Sequence, residues 1–126
     1  MKKKRIASEK VFDPAPSVFS NAVRYGNMVF TTAKSGTAPN GKLARGLEGQ
    51  TRQALENIKG LLESAGTDME HVLKTTVYLT TLRDVDRMNK VYASYFAVPP
   101  ARAIVLVKGW GTRERLIEID AIAGMP

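Results

Sequence analysis

The 126-residue sequence has no cysteine and a single histidine, His71. Without cysteine the chain cannot form a disulfide, a thiolate nucleophile, a zinc-thiolate site or an iron–sulfur centre. One histidine does not suffice for a multi-histidine metal site within one chain, although a serine triad needs only one. No Gly-x-Ser-x-Gly nucleophile elbow accompanies it, so we interpret His71 as a surface or capping residue.

Long apolar runs are absent as well. The sequence has no run of about 18 apolar residues for a membrane span, and no apolar segment follows its basic start as it would in a signal peptide. Aromatic residues make up only 7% of the chain. We therefore expect a cytoplasmic protein without membrane contact.

Positive charge is abundant but unevenly placed. Lysine and arginine number 19 against 12 acidic residues, a net charge of +7, and four of the cations are Lys2 to Arg5. The remainder carries 15 basic against 12 acidic residues, or +3. We expect residues 1–9 to form a mobile basic terminus of one domain spanning residues 1–126, and nucleic acid is a possible but less favoured partner.

Hydrophobic periodicity predicts the order ββ(β)αβαββ. A turn at Gly26-Asn27 suits a hairpin because both residues tolerate positive φ. The predicted elements are a hairpin over residues 22–32, a short strand near residues 10–12, helices over 48–65 and from Asp84 to Pro99-Pro100, and strands over 72–80, 103–107 and 116–123. This order predicts an α+β fold with two helices on one face of a five- or six-stranded mixed sheet.

The strand over residues 103–107 is apolar at every position, so both of its faces require cover. Two helices cover only one face of the predicted sheet. A large uncovered apolar surface usually marks an interface, and closed homo-oligomers are its commonest explanation. The pattern therefore predicts a homo-oligomer.

A glycine-rich stretch from Gly36 to Leu43 matches the first seven positions of a phosphate-binding loop. Leu43 stands where such a loop needs serine or threonine to hold Mg²⁺, and the predicted helix starts several residues later. We interpret this stretch as a turn-rich loop.

Two charged residues lie within otherwise apolar strands. Arg102 follows a rigid Pro-Pro-Ala turn at the start of one strand, and Glu118 shares a strand face with Asp120. Charged groups in such surroundings are costly unless they are paired or used. They either form a structural ion pair or reach solvent, or they build a polar pocket in which arginine clamps a carboxylate and glutamate holds a water.

Several ordered blocks of the sequence closely resemble the Rid family of reactive intermediate deaminases, also called the YjgF family. The blocks are residues 50–59, Ala65-Gly66, 72–79, 89–92, 100–102 and 117–123. The resemblance runs from about Ser17 to Ala123. Some members of this family have been named translation-inhibiting endoribonucleases.

This resemblance implies a chorismate-mutase-like fold and a homotrimer with pockets at its subunit interfaces. It also implies hydrolysis of reactive 2-enamino or 2-imino acids to 2-oxo acids and ammonia, without a cofactor or a metal. Arg102 matches the family arginine that binds the substrate carboxylate. Glu118 matches the acidic residue associated with the attacking water, and Asn89 and Tyr92 match pocket-supporting positions.

The sequence departs from the family pattern in three places, two of which contain residues that we assign to substrate binding together with Asn89 and Tyr92, namely Phe19, Thr32 and Lys34. Phe19 replaces a tyrosine, and Thr32-Ala33-Lys34 replaces the usual Ser-Gly-Gln, while Trp110-Gly111 replaces Leu-Pro. Lys34 either faces the pocket, where it would favour a substrate with a second carboxylate, or points into solvent.

Two alternative functions stay open from the sequence. The first is an RNA-binding or endoribonuclease-type translation inhibitor, suggested by the basic balance and by the names of family members. The second is a trimer that binds small carboxylic acids without turning them over.

Overall fold

The computed structural model describes residues 1–126. The chain forms a seven-stranded mixed sheet with two helices packed on it. The elements are β1 (Lys4–Ile6), β2 (Ala22–Tyr25), β3 (Met28–Thr31), β4 (Lys34–Ser35), α1 (Gly46–Ala65), β5 (Val72–Leu79), α2 (Val85–Ala93), β6 (Ala101–Leu106) and β7 (Ile117–Gly124). The strand order is β1-β2-β3-β7-β5-β6, and β4 also pairs with β7. Neither helix is long and apolar enough to cross a membrane.

Most predicted elements are confirmed within a few residues, but α2 ends at Ala93, well before the predicted end at Pro99-Pro100. The β2–β3 hairpin turns at Gly26, whose φ is 58°, and α1 ends at Gly66, whose φ is 94°. Both glycines adopt the left-handed conformation that a side chain would strain. The predicted α+β class, with two helices and a mixed sheet, is therefore correct.

The sheet has seven strands rather than the five or six predicted. The sequence did not reveal β1 and β4 because these two strands are very short. Residues 1–9, predicted as a mobile terminus, include β1, which pairs antiparallel with β2 and buries Ile6. The strand predicted near residues 10–12 does not form. Three-residue strands are held mainly by backbone hydrogen bonds to their neighbours, which side-chain periodicity does not reveal.

The interior pattern of β5 differs from simple alternation. The register shifts between Val72 and Lys74, so Leu73 is exposed while Val72 and Thr75 are buried. A bulge of this kind moves the residues before it onto the other face. Beyond the shift, Thr75, Val77 and Leu79 share the buried face.

Both helices cover the same face of the sheet. Leu55, Ile58 and Leu62 of α1 are fully buried against it, and Met88 of α2 joins the same core. The opposite face, which we call the open face, carries half-buried and exposed side chains that include the apolar Phe30, Val105 and Ile122. It also carries Tyr78, whose hydroxyl donates to Asp120 Oδ2 at 2.9 Å. The protomer thus has the uncovered sheet face that the sequence predicted.

We predict that Gly36→Ala destabilises the fold by about 1–3 kcal/mol, since overpacking a filled site costs that much. An added Cβ would lie 2.5 Å from Gln50 Cα, which is backbone of α1. Urea unfolding of the wild type, of Gly36→Ala and of the control variant Gly49→Ala measures the change in the free energy of unfolding. In Gly49→Ala the nearest atom to the new Cβ is 3.7 Å away, so we expect stabilisation of up to about 1 kcal/mol. Equal stability of Gly36→Ala and the wild type would contradict this packing.

Candidate functional site

The seven predicted site residues line two separate cavities of the protomer. The Glu118 cavity, of about 400 Å³, contains Phe19, Thr32, Lys34 and Glu118 in its wall. The Arg102 cavity, of about 360 Å³, contains Asn89, Tyr92 and Arg102. The structure therefore brings these residues together in two groups and keeps the two groups apart.

The Glu118 cavity exists because β4 takes the place of β3 beside β7. The strand β3 pairs with β7 at residues 122–124, whereas β4 pairs with it at Glu118 and Ile119. Asn57 of α1 fixes the loop after β4, donating to the carbonyl oxygens of Ser35 at 3.0 Å and Thr37 at 2.9 Å. These bonds satisfy a buried amide and hold the cavity wall against the helix.

The Glu118 carboxylate is largely buried, with 14% of its side chain exposed. Its Oε2 accepts a hydrogen bond from Arg115 Nη1 at 3.2 Å. Burial raises the pKa of Glu118 above its ordinary value, and the positive charges of Arg115 and Lys34 oppose that rise. A carboxylate with a raised pKa is a better acceptor for a proton from water than an ordinary surface carboxylate.

Lys34 lines the same cavity and does not point into solvent. Its Nζ donates to Asn21 Oδ1 at 2.9 Å, and Asn21 is fully buried. The amide orientation of Asn21 is set by its Nδ2, which donates to the carbonyl oxygen of Asp13 at 2.8 Å. Burial lowers the pKa of Lys34, while the charges of Asp13 and Glu118 partly restore it.

Phe19 and Thr32 complete the predicted group in this cavity. The carbonyl oxygen of Phe19 accepts a hydrogen bond from Arg5 Nη2 at 3.1 Å, which ties its loop to β1. The backbone N–H of Thr32 donates to the carbonyl oxygen of Asn21 at 2.8 Å. Phe19 is 48% exposed, so its ring forms an apolar rim of the cavity.

The Arg102 cavity presents one cation held by neutral partners. Arg102 Nη1 donates to Asn89 Oδ1 at 2.8 Å, and the guanidinium carbon lies 4.7 Å from the centre of the Tyr92 ring. The Tyr92 hydroxyl is hydrogen-bonded to the hydroxyl of Thr75 at 2.6 Å, which anchors the ring to β5. Arg102 forms none of the four ion pairs of the protomer. Its remaining N–H donors are therefore available to an anion.

Register places Arg102 and Glu118 on opposite faces of the sheet. Arg102 is opposite Thr75 on β5, and Glu118 is opposite Tyr78 on the same strand. Residues directly opposite each other share a face, and positions three apart on a regular strand face opposite sides. Arg102 thus lies on the helix side and Glu118 on the open face, so they do not form the ion pair that the sequence left open; Glu118 pairs with Arg115 instead.

Sequence reasoning missed Asn57 and Arg115, which line the Glu118 cavity, and Asn21, which is buried behind it and contacts Lys34. Asn57 has a detectable signal, because it is polar at the spacing of the apolar stripe of α1, seven residues after the equally buried Gln50. Arg115 stands three residues before Glu118, which is a weaker signal. Asn21 has no local signal, since its role depends on Lys34 and Asp13 reaching it in the folded chain. His71 lies outside both cavities, and its Nδ1 is hydrogen-bonded to Asp68 Oδ1 at 2.7 Å.

A family model, curated proteins and solved structures that resemble this chain all point to the same family. A model of the family described as Endoribonuclease L-PSP matches residues 12–125. A RutC family protein of Pyrococcus horikoshii is 44% identical over 108 residues, covering 83% of this chain and 85% of that protein. The 2-iminobutanoate/2-iminopropanoate deaminase of Salmonella typhimurium is 35% identical over 125 residues, covering 95% of this chain and 96% of that protein. The crystal structure of the YjgF gene product of E. coli aligns with a TM-score of 0.91 and 33% identity, covering 98% of this chain and 99% of that one.

We predict that Arg115→Met raises the pKa of Glu118 further above its ordinary value. Burial of the carboxylate persists in this variant, whereas the positive charge that opposes its effect is removed. Carboxyl ¹³C NMR shifts followed against pH measure the pKa directly. The control Arg113→Met removes an equal charge from an exposed side chain. We expect the pKa of Glu118 to be unchanged in this control. An unchanged or lowered Glu118 pKa in Arg115→Met would contradict the assignment.

Proposed function

The chain belongs to the Rid family, whose model is described as Endoribonuclease L-PSP, and from this membership we propose that it hydrolyses 2-imino and 2-enamino acids to 2-oxo acids and ammonia. The name of the Salmonella relative supports the deaminase class. The observation that carries the proposal is Arg102, a guanidinium held in place by Asn89 and Tyr92 and left without a counterion. Such a group is a preorganised site for a carboxylate.

One substrate then requires two protomers. In a 2-imino acid the carboxylate carbon is bonded directly to the reacting carbon, so the clamp and the attacking water must lie a few ångströms apart. Within one protomer β5 separates β6 from β7, and Arg102 and Glu118 face opposite sides. We therefore assign Arg102 to one protomer and Glu118 to its neighbour in a homotrimer. The uncovered open face supports such an assembly.

Arg102 binds and orients the substrate in this site. Its free N–H donors form a fork that matches the two oxygens of a carboxylate. Because Asn89 and the Tyr92 ring already fix the guanidinium, little conformational freedom is lost when the acid binds. The reacting carbon is thereby held at a fixed distance from the neighbouring Glu118 cavity.

Glu118 directs the water. The carboxylate accepts a proton from water as the water oxygen adds to the imine carbon, which is already electrophilic when the nitrogen is protonated. The resulting tetrahedral adduct collapses with loss of ammonia and leaves the 2-oxo acid. The steps need a proton acceptor and a carboxylate clamp, and both are side chains of this sequence.

RNA cleavage is the second candidate, favoured by the description of the family model. Lys4 and Arg5 lie on β1, and Lys4 is opposite Arg24 on β2, which makes this edge of the sheet basic. Phosphate-dominated binding weakens steeply with salt. RNA binding that is lost when residues 1–5 are deleted would be a non-specific contact of this basic edge, whereas saturable binding and cleavage of RNA that survive the deletion would favour this candidate over imino acids.

We predict that Arg102→Ala lowers kcat/KM by about a hundredfold, because losing a charged hydrogen-bonding partner costs about 3 kcal/mol. Arg102→Lys should fall between the two, since an ammonium keeps the charge but loses the fork. The assay measures ammonia or 2-oxo acid released from imino acids that an amino-acid oxidase generates in situ. The control Arg87→Ala removes an exposed arginine of α2. Equal rates for Arg102→Ala and the wild type would refute the clamp, and tight acid binding without turnover in the wild type would favour a binding protein.

We predict that two inactive variants restore activity when they share one oligomer. Arg102→Ala and Glu118→Gln chains are coexpressed in equal amounts and purified together. If each site takes one residue from each of two protomers, about a quarter of the sites in randomly mixed rings are intact, and about a quarter of the wild-type activity returns. Activity that stays at the level of the single variants, in oligomers shown by mass to be mixed, would place both residues of a site in one protomer.

A further inference from the structure

Lys34 is the one amine in the wall of the Glu118 cavity. The side chain is tied to the fully buried Asn21 through the 2.9 Å hydrogen bond from its Nζ, so the amine has a defined position. It shares this wall with Glu118, to which the proposed function assigns the water.

We propose that Lys34 is a covalent nucleophile whose amine forms a Schiff base with the reacting carbon of the substrate. Its place in turnover rests on the proposed imine deamination. Its ability to form a Schiff base with a 2-oxo acid does not, because a carbonyl carbon reacts with an amine in the same way as an imine carbon.

The reaction balances without a further reactant. The neutral amine of Lys34 adds to the carbon of the protonated imine, and a proton passes from the lysine nitrogen to the substrate nitrogen. The bond from carbon to that nitrogen breaks, ammonia leaves, and a protonated Schiff base remains on Lys34. Water held by Glu118 then adds to the carbon of this Schiff base rather than to the original imine, the bond from carbon to the lysine nitrogen breaks, and the 2-oxo acid and the Lys34 ammonium result. The ammonium returns its proton to the released ammonia.

The surroundings of Lys34 favour the neutral amine that this reaction needs. Its hydrogen-bond partner is a neutral amide, and Lys34 takes part in none of the ion pairs of the protomer. Burial is the largest influence and lowers the pKa, and the Arg115 charge lowers it further. The carboxylates of Asp13 and Glu118 act in the opposite direction without reversing the shift. Desolvated lysines near other cations are the usual Schiff-base nucleophiles.

The bond to Asn21 also orients the amine. Because Asn21 Nδ2 donates to the carbonyl oxygen of Asp13, its Oδ1 is the atom turned toward Lys34. The amine must therefore donate an N–H in that direction, and the lone pair of its neutral form points elsewhere. This arrangement holds the nucleophile while leaving its lone pair free to attack.

Reductive trapping tests the proposal directly. The wild-type protein is incubated at neutral pH with pyruvate and cyanoborohydride, and intact mass and peptide mapping locate the adduct. We expect a single pyruvate adduct on Lys34. The variants Lys34→Gln and Lys34→Arg should lose it, whereas Lys42→Gln, which removes an exposed lysine of the loop after β4, should keep it. Absence of the wild-type adduct, or equal labelling of exposed lysines, would overturn the proposal.

Turnover of imino acids tests the catalytic part separately. If the Schiff base is on the reaction path, Lys34→Gln and Lys34→Arg should each lower kcat/KM at least about tenfold, since direct water attack is all that is left to them. Trapping with unchanged turnover in these variants would show that the adduct lies off the path and would refute the catalytic role. Trapping by a wild type that releases no ammonia would overturn the proposed function and leave the Schiff-base site intact.

Discussion

The two-residue alternation of side chains across β6, β5 and β7 is the constraint on which the site depends. It sends Arg102 to the helix side and Glu118 to the open face, with β5 between them. The same alternation turns every second residue of β7, from Ile117 to Ala123, toward the helices and leaves Glu118, Asp120 and Ile122 on the open face. A sheet covered on one side thus keeps the Arg102 cavity and the Glu118 cavity apart, and under the proposed function contact between protomers brings them together.

Neutral partners hold two cations of the cavities, Arg102 and Lys34, in position. Arg102 is held by an amide and an aromatic ring, and Lys34 is held by the amide of Asn21. A carboxylate partner would neutralise either cation and compete with a substrate acid. Glu118 differs in that Arg115 contacts it directly, which limits the rise of its pKa that burial causes. Each side chain is therefore fixed in position, and Arg102 and Lys34 stay free to interact with a substrate.

Buried polar side chains of α1 connect the fold to the site. Asn57 binds the loop after β4, and Gln50 bridges the segment before β7, accepting from the Leu116 N–H at 2.9 Å and donating to the Glu114 carbonyl oxygen at 2.7 Å. These amides replace strand partners that the loop and the segment lack. Leaving a buried amide or carbonyl without a partner costs about 1–3 kcal/mol of folding free energy. These hydrogen bonds therefore hold both segments in a fixed position against α1.

The sequence by itself determined the helices, the main strands and the buried face of β7, because these follow from local spacing between neighbours in the chain. Their position in otherwise apolar strands singled out Arg102 and Glu118 as candidates, and the resemblance to a family implied a role for each. Only the tertiary structure decided that they face opposite sides and that Lys34 turns inward to Asn21. It also placed β1 and β4, whose short runs have no periodicity of their own. The physical reason is that strand register and buried hydrogen bonds join residues far apart in the chain, and no local pattern encodes them.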